Sequence, residues 1–251
     1  MRKALFIANW KMNKKIAEAR KFCEEFLPLL DNVTDVETVI CPPFTCLHVL
    51  SAALQGSPVK LGAQDLFWED KGAYTGEISA SMLLDAACEF VIVGHSERRQ
   101  IVGENDTVIN RKLKAALDAS LLPVLCIGET LQERENSMAM EVVKEQLHRD
   151  LRDIELSEGQ LLIAYEPVWA IGTGVNASSD DARKMIAFVR ECLAKMFSQS
   201  LADSVRILYG GSVNEENIKM FLSKEEIDGA LVGGASLQAE SFAKIVRYKE
   251  I

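Results

Sequence analysis

The chain has 251 residues, and its 28 Lys plus Arg against 37 Asp plus Glu give a formal charge of -9 at pH 7. That length can bury one large core, and α/β barrels of this size are commonly a single domain. The acidic balance argues against a general nucleic-acid or anionic-membrane surface, although a local cradle of amide donors can still hold a phosphate.

The opening MRKALFIANW is too soon interrupted by Asn and Lys to read as a secretory signal, and no apolar run approaches membrane-spanning length. Cys23, Cys41, Cys46, Cys88, Cys126 and Cys192 show neither disulfide nor zinc-ligand spacing. A reduced, cytoplasmic compartment is expected. Strand-like runs follow at 4 to 8, 36 to 40, 58 to 62, 89 to 94, 122 to 127, 161 to 165, 205 to 210 and 227 to 233. Between them, segments such as KKIAEARKFCEEF, NDTVINRKLKAALDA, MAMEVVKEQLHRDL and SSDDARKMIAFVRECL return apolar residues at three- and four-residue intervals. The helical pattern is weakest in the third and eighth connections. Alternation of this kind, with no linker or low-complexity tract, predicts an α/β chain folded as one closed (β/α)8 barrel over residues 1 to 251.

In such a barrel the residues just after the strands gather on one face, where catalytic groups are expected. Those positions hold Asn9, Lys11, His95, Glu129, Glu166, Gly210, Gly211, Gly233 and Gly234. Three of them have an ordinary reading: Lys11 as a solvated strand end, His95 as a turn residue bonded to its own backbone, Glu166 as a cap or ion pair. Their coincidence at one mouth suggests chemistry. A carboxylate can take a proton from carbon only if another group stabilises the charge that forms on the adjacent carbonyl oxygen. His95 at the start of a helix suits that task, because N-terminal amides favour a neutral imidazole with one N–H to donate, and Lys11 adds fixed positive charge. This is the constellation of an enolising isomerase, for which no metal or cofactor is expected. The runs IGTG, YGGSV and VGGASL can be tight turns, but the last two follow the seventh and eighth strands, where a barrel of this kind holds phosphate. Gly211, Ser212, Gly233 and Gly234 are the expected cradle.

The motifs NWKMN (9 to 13), GAQD (62 to 65), GAYTGEIS (72 to 79), VIVGHSERR (91 to 99), CIGET (126 to 130), AYEPVWAIGTG (164 to 174), YGGSV (209 to 213) and LVGGASL (231 to 237) occur in an order that resembles the triosephosphate isomerase family along essentially the whole chain. The resemblance implies interconversion of glyceraldehyde 3-phosphate and dihydroxyacetone phosphate through a cis-enediolate. It places Glu166 as the base, a pairing of carboxylate with neutral histidine for which this enzyme is itself the standard example. His95 takes the electrophile's place, Lys11 the substrate-contacting lysine's and Asn9 that of the polar residue beside it. Ser96 and Glu97 fall at supporting positions, Glu97 against the lysine, and Cys126 packs behind the base. Pro167, Val168, Trp169, Ala170, Ile171, Gly172, Thr173, Gly174, Val175, Asn176 and Ala177 correspond to a lid that brings Ile171 and the Gly172 N–H over substrate.

The sequence departs from the family pattern twice. Val175, Asn176 and Ala177 open VNASSDDA, where the family more commonly has a basic residue, an apolar or small one, then Ala, Thr and Pro. Asp65 stands where Asn is commoner, either as an ordinary hydrogen-bonding group or as a like charge near Glu77. The segment 67 to 77, with Tyr74, Thr75, Gly76 and Glu77 at or beside its tip, resembles the protruding loop that enters a partner subunit, and Asp65 is expected near the same region. A homodimer acting on small triose phosphates is the implied assembly, with no nucleic-acid or membrane partner. Two other classes remain open at this point: another phosphosugar barrel such as a metal-dependent epimerase or an aldolase, although His48, His95 and His148 form no obvious metal set, and a noncatalytic phosphosugar-binding barrel.

Overall fold

A computed structural model describes residues 2 to 171 and 177 to 250. Among the described residues, eight parallel strands close in sequential order: β1 (Ala4–Asn9), β2 (Val36–Cys41), β3 (Lys60–Ala63), β4 (Phe90–Val93), β5 (Leu122–Ile127), β6 (Leu162–Tyr165), β7 (Arg206–Tyr209) and β8 (Gly229–Val232). Around them run α1 (Ile16–Phe26), α2 (Leu47–Leu54), α3 (Ala80–Asp85), α4 (Asp106–Asp118), α5 (Leu131–Glu135), α6 (Ala139–Asp150), α7 (Ser179–Met196), α8 (Gln199–Ser204), α9 (Ile218–Leu222) and α10 (Ala239–Val246).

The strands are apolar on both faces because each face is covered. Along β1, Leu5 and Ile7 join an inner cluster with Val39, Ile92, Val124, Leu162 and Leu208. Phe6 and Ala8 point the other way, into the layer shared with the helices. The two-residue period of a strand thus divides one sequence run between two cores. Closure depends on Gly229: it has φ +151, and a Cβ there would lie 1.8 Å from the Leu5 carbonyl oxygen across the β1–β8 seam. Only glycine admits that approach.

Strand ends differ from the sequence expectation. β3 runs Lys60–Ala63 rather than 58 to 62, since Pro58 has no N–H to give a ladder. β7 and β8 are four residues each, shorter than the runs 205 to 210 and 227 to 233. The third helix is only Ala80–Asp85, after the exposed segment 69 to 77, and the eighth connection holds a 3-10 turn, Gly234–Leu237, before α10. No helix among the described residues is long and apolar enough to cross a membrane.

Candidate active site

The strand ends bring Asn9, Lys11, His95, Glu166, Ile171, Gly210, Gly211, Ser212, Gly233 and Gly234 around one cavity of about 180 Å³. A larger groove, about 880 Å³, runs beside Lys3, Pro28 and Lys60, but the buried titratable groups converge in the smaller hollow.

Past β1 the chain turns through Lys11 at φ 52, left-handed backbone that a residue with a Cβ enters at a cost. Local bonds hold it there. The Lys11 N–H donates to Asn9 Oδ1 at 3.0 Å, and Gln64 Nε2 donates to the Lys11 carbonyl at 2.9 Å and to the Cys41 carbonyl at 2.9 Å. Lys11 Nζ then lies 2.6 Å from Glu97 Oε1. Gln64 was legible only as part of GAQD; nothing in that motif told that its amide would lock the lysine's backbone.

At the end of β4, the chain takes a wide π-helical turn, Arg98–Val102, in place of a regular helix. Its leading amides are nevertheless aimed at the site. The Ser96 N–H donates to Glu166 Oε2 at 2.9 Å, and the Glu97 N–H donates to His95 Nδ1 at 3.2 Å. A donor at Nδ1 needs a lone pair there, which leaves the ring proton on Nε2. His95 Nε2 is 3.1 Å from Glu166 Oε1, and both residues are buried, 5% and 2% exposed.

Burial is the largest influence on both groups and opposes charge on each, but their mutual contact together with the neighbouring groups outweighs it. Glu166 is held below the usual carboxylate range by His95, the Ser96 N–H and Lys11, and His95 is raised by Glu166 and Glu97. A molecule that parted the two would remove the main cause of the rise in His95. Burial, Lys11 and the Glu97 N–H would then favour the neutral ring.

Glu166 leads into a 3-10 turn, Val168–Ala170, with Pro167 at its start. Trp169 Nε1 donates to Glu129 Oε1 at 2.9 Å, and the Tyr165 hydroxyl reaches the same carboxylate at 3.0 Å and 3.1 Å. Glu129 is fully buried and ties the strand before the lid to the lid's first turn. The sequence placed it at the rim without a task. Ile171 lines the cavity and Ala177 is buried beyond it, while Gly172, Thr173, Gly174, Val175 and Asn176 lie outside the described residues. Cys126 packs in the inner core, where burial pushes its thiol well up.

The residues expected at an interface divide. Tyr74, Thr75, Gly76 and Glu77 are exposed, and Tyr74 packs on Phe67 at 4.6 Å between ring centroids, with Phe67 stacked on Trp68. Asp65, in contrast, is 4% exposed and pairs within its own chain. Both its oxygens accept from Lys112 Nζ at 2.7 Å, and Arg98 Nη2 is 2.9 Å away. Of the two roles the sequence left open, the structure shows the hydrogen-bonded one. Among the described residues no three His, Cys, Asp or Glu side chains are grouped to hold a metal ion.

The family model for triosephosphate isomerase matches residues 4 to 249. The chain is 51% identical over 251 residues to the triosephosphate isomerase of Endomicrobium trichonymphae, covering 100% of each. It is 50% identical over 248 residues to that of Dictyoglomus turgidum, covering 98% of this chain and 100% of the other. The chain belongs to the triosephosphate isomerase family. A solved triosephosphate isomerase from Bartonella henselae superposes with a TM-score of 0.91 at 35% identity, over 99% of this chain and 100% of that one. Membership in the triosephosphate isomerase family decides against a different phosphosugar barrel, and the matched span contains every strand-end group lining the cavity.

Proposed function

We propose that this chain interconverts D-glyceraldehyde 3-phosphate and dihydroxyacetone phosphate, with Glu166 carrying the proton between adjacent carbons. The observation that supports this reading is the convergence of a buried carboxylate, a buried imidazole that keeps its Nε2 proton, and a lysine on one cavity whose far wall is glycine. A substrate entering between Glu166 and His95 would place its carbonyl oxygen toward His95 Nε2 and Lys11 Nζ. Glu166 takes the proton from the neighbouring carbon, and the electron pair moves onto that oxygen, giving a cis-enediolate. His95 Nε2 gives its proton to that oxygen and takes one from the neighbouring hydroxyl, so the second carbon's oxygen becomes the carbonyl as the same carboxyl returns its proton to the other carbon. A preorganised donor at such an oxyanion contributes on the order of 100- to 1000-fold in rate.

Gly211, Ser212, Gly233 and Gly234 hold the phosphate, the part of the substrate that does not react, through converging backbone N–H groups. Asn9 sets Lys11, Glu97 neutralises it at rest, Ser96 aims the base, and Cys126 fills space behind it. Residues 167 to 177 act as the lid, with Ile171 and Gly172 closing over the ligand, so that water is excluded from the enediolate. Residues 1 to 251 work as one catalytic unit.

The working form is a homodimer. Its support is the exposed loop tip at Tyr74 together with Ile101 and Val102, 80% and 61% exposed beside the site's β4 turn; water-facing side chains of that kind are stabilised when a second copy covers them. The compartment proposed is the cytoplasm, in keeping with free, buried cysteines. Purified protein given either triose phosphate should form the other, at the same rate with and without a chelator. A folded protein that binds both compounds without converting them would overturn the reading, and a chelator-sensitive rate would overturn its metal-free chemistry.

A further inference from the structure

The base is only as well placed as the backbone beneath it, and that backbone is suspended from the segment after β5. The Glu166 N–H donates to the Ile127 carbonyl at 2.7 Å, and the Val168 N–H donates to the Glu129 carbonyl at 3.0 Å. Gly128 lies between these two anchors. A Cβ on Gly128 would fall 1.7 Å from the Glu166 carbonyl oxygen and 3.2 Å from its Cα, so the two backbones are in direct contact and movement of one displaces the other.

Gly128 itself lies past the end of β5, beyond the ladder. Its N–H and its carbonyl are both taken by one side chain from α6. The Gly128 N–H donates to Gln146 Oε1 at 2.8 Å, and Gln146 Nε2 donates to the Gly128 carbonyl at 3.1 Å. A carboxamide satisfies a peptide's donor and acceptor together, which fixes position and orientation at once.

Gln146 is in turn held on a rigid support. One helical turn further along α6, Asp150 is fully buried and accepts from Arg99 Nη2 at 2.5 Å. Arg99 also donates to the Gly94 carbonyl at 2.8 Å, the Cys126 carbonyl at 3.0 Å and Asp106 at 2.7 Å. The same helix face therefore grips the rim at β4, just before His95, and at β5, just before Gly128. Asn110 Nδ2 adds a bond from α4 to the Asp150 carbonyl at 2.8 Å.

We propose that Gln146 is a positioning residue for proton transfer: it clamps Gly128 against the Glu166 backbone and so sets the reach of the base. It touches neither cavity nor substrate, and the inference rests on Glu166 being the base. Displacements on the order of 1 Å at a reacting group cost roughly 100-fold in rate. Gln146→Met keeps the volume and removes both bonds, and it should lower kcat by about 10- to 100-fold with KM held within about threefold, since the phosphate cradle is untouched. Gln146→Glu is the rescue variant. A protonated carboxyl can accept from the Gly128 N–H and donate to its carbonyl, as the amide does, whereas the ionised form loses the donor. Its kcat relative to the parent protein should therefore approach unity as pH falls and drop as the introduced carboxyl ionises.

A folded Gln146→Met protein with kcat within twofold of the parent, or a loss carried by KM, would overturn the proposal. Should Gln146→Met fail to fold, a Gln146→Glu ratio that does not change with pH overturns it equally. Glu166→Gln, measured alongside, separates the two layers. Dead Glu166→Gln with fast Gln146→Met removes the clamp alone, while fast Glu166→Gln removes the assignment of the base on which it stands.

Discussion

A single methyl group at Gly210 should slow the reaction without removing any chemical group from the site. A Cβ built there lies 2.8 Å from Glu166 Cγ and 3.5 Å from its Oε1. Carbon atoms rest at about 3.5 to 4.0 Å, so the Glu166 side chain would have to retreat by roughly 0.7 Å. That movement disturbs the 2.9 Å bond from the Ser96 N–H and the 3.1 Å contact with His95 Nε2, the two interactions that aim the carboxylate. With roughly 100-fold lost per ångström of misplacement, the expected fall in kcat for Gly210→Ala is about 10- to 100-fold, or about 1.4 to 2.7 kcal/mol in the barrier. The backbone at Gly210 is not left-handed, and the nearest backbone atom to the added methyl, the Tyr165 carbonyl oxygen, is 3.3 Å away, so the fold should survive with a shift of roughly a few tenths of an ångström. The assay is steady-state turnover in both directions, with a substrate deuterated at the transferred position and a melting curve on the same preparation. KM should move little, and the isotope effect should rise as proton transfer becomes more rate-limiting. A folded variant with kcat within twofold of the parent would refute the claim that Glu166 acts from its observed position.

Two further outcomes are expected. Burial raises the Asp65 carboxyl to about 6 against the opposing pull of Lys112, while the unfolded chain ionises near 3.9, so the folded state holds the extra proton between these values and stability falls as pH rises through that window, by at most about 3 kcal/mol; Asp65→Asn lacks this term, and urea unfolding at fixed protein concentration should show the variant gaining on the parent from pH 4 to pH 7, a pH-independent difference being the refuting result. Deleting residues 73 to 76 and joining the ends should give a folded barrel that sediments as a monomer and turns over slowly, through looser placement of Lys11 and His95; sedimentation as an intact dimer would contradict the proposed loop insertion.

Much of this protein is legible in its sequence. The strand period divides Leu5 and Ile7 from Phe6 and Ala8, the helix period marks α1, α4, α6 and α7, and their alternation suffices for a closed barrel. Because a barrel gathers its strand ends on one face, the same reading located Asn9, Lys11, His95, Glu166 and the glycine loops around a common cavity. These features are local: they depend on a residue's chemistry and on its place within one strand or helix.

What the tertiary structure alone decided is how groups from separate segments meet. Whether Asp65 faced a like charge or a partner depended on Lys112 arriving from α4. That Gln64 locks the Lys11 backbone, that Glu129 receives Tyr165 and Trp169, and that Gln146 closes on Gly128 were invisible in sequence. In each case a polar side chain satisfies groups that no ladder or helix reaches. Such pairing needs the spacing between elements to be right within a fraction of an ångström, and that spacing exists only once the barrel has closed and its helices have packed around it.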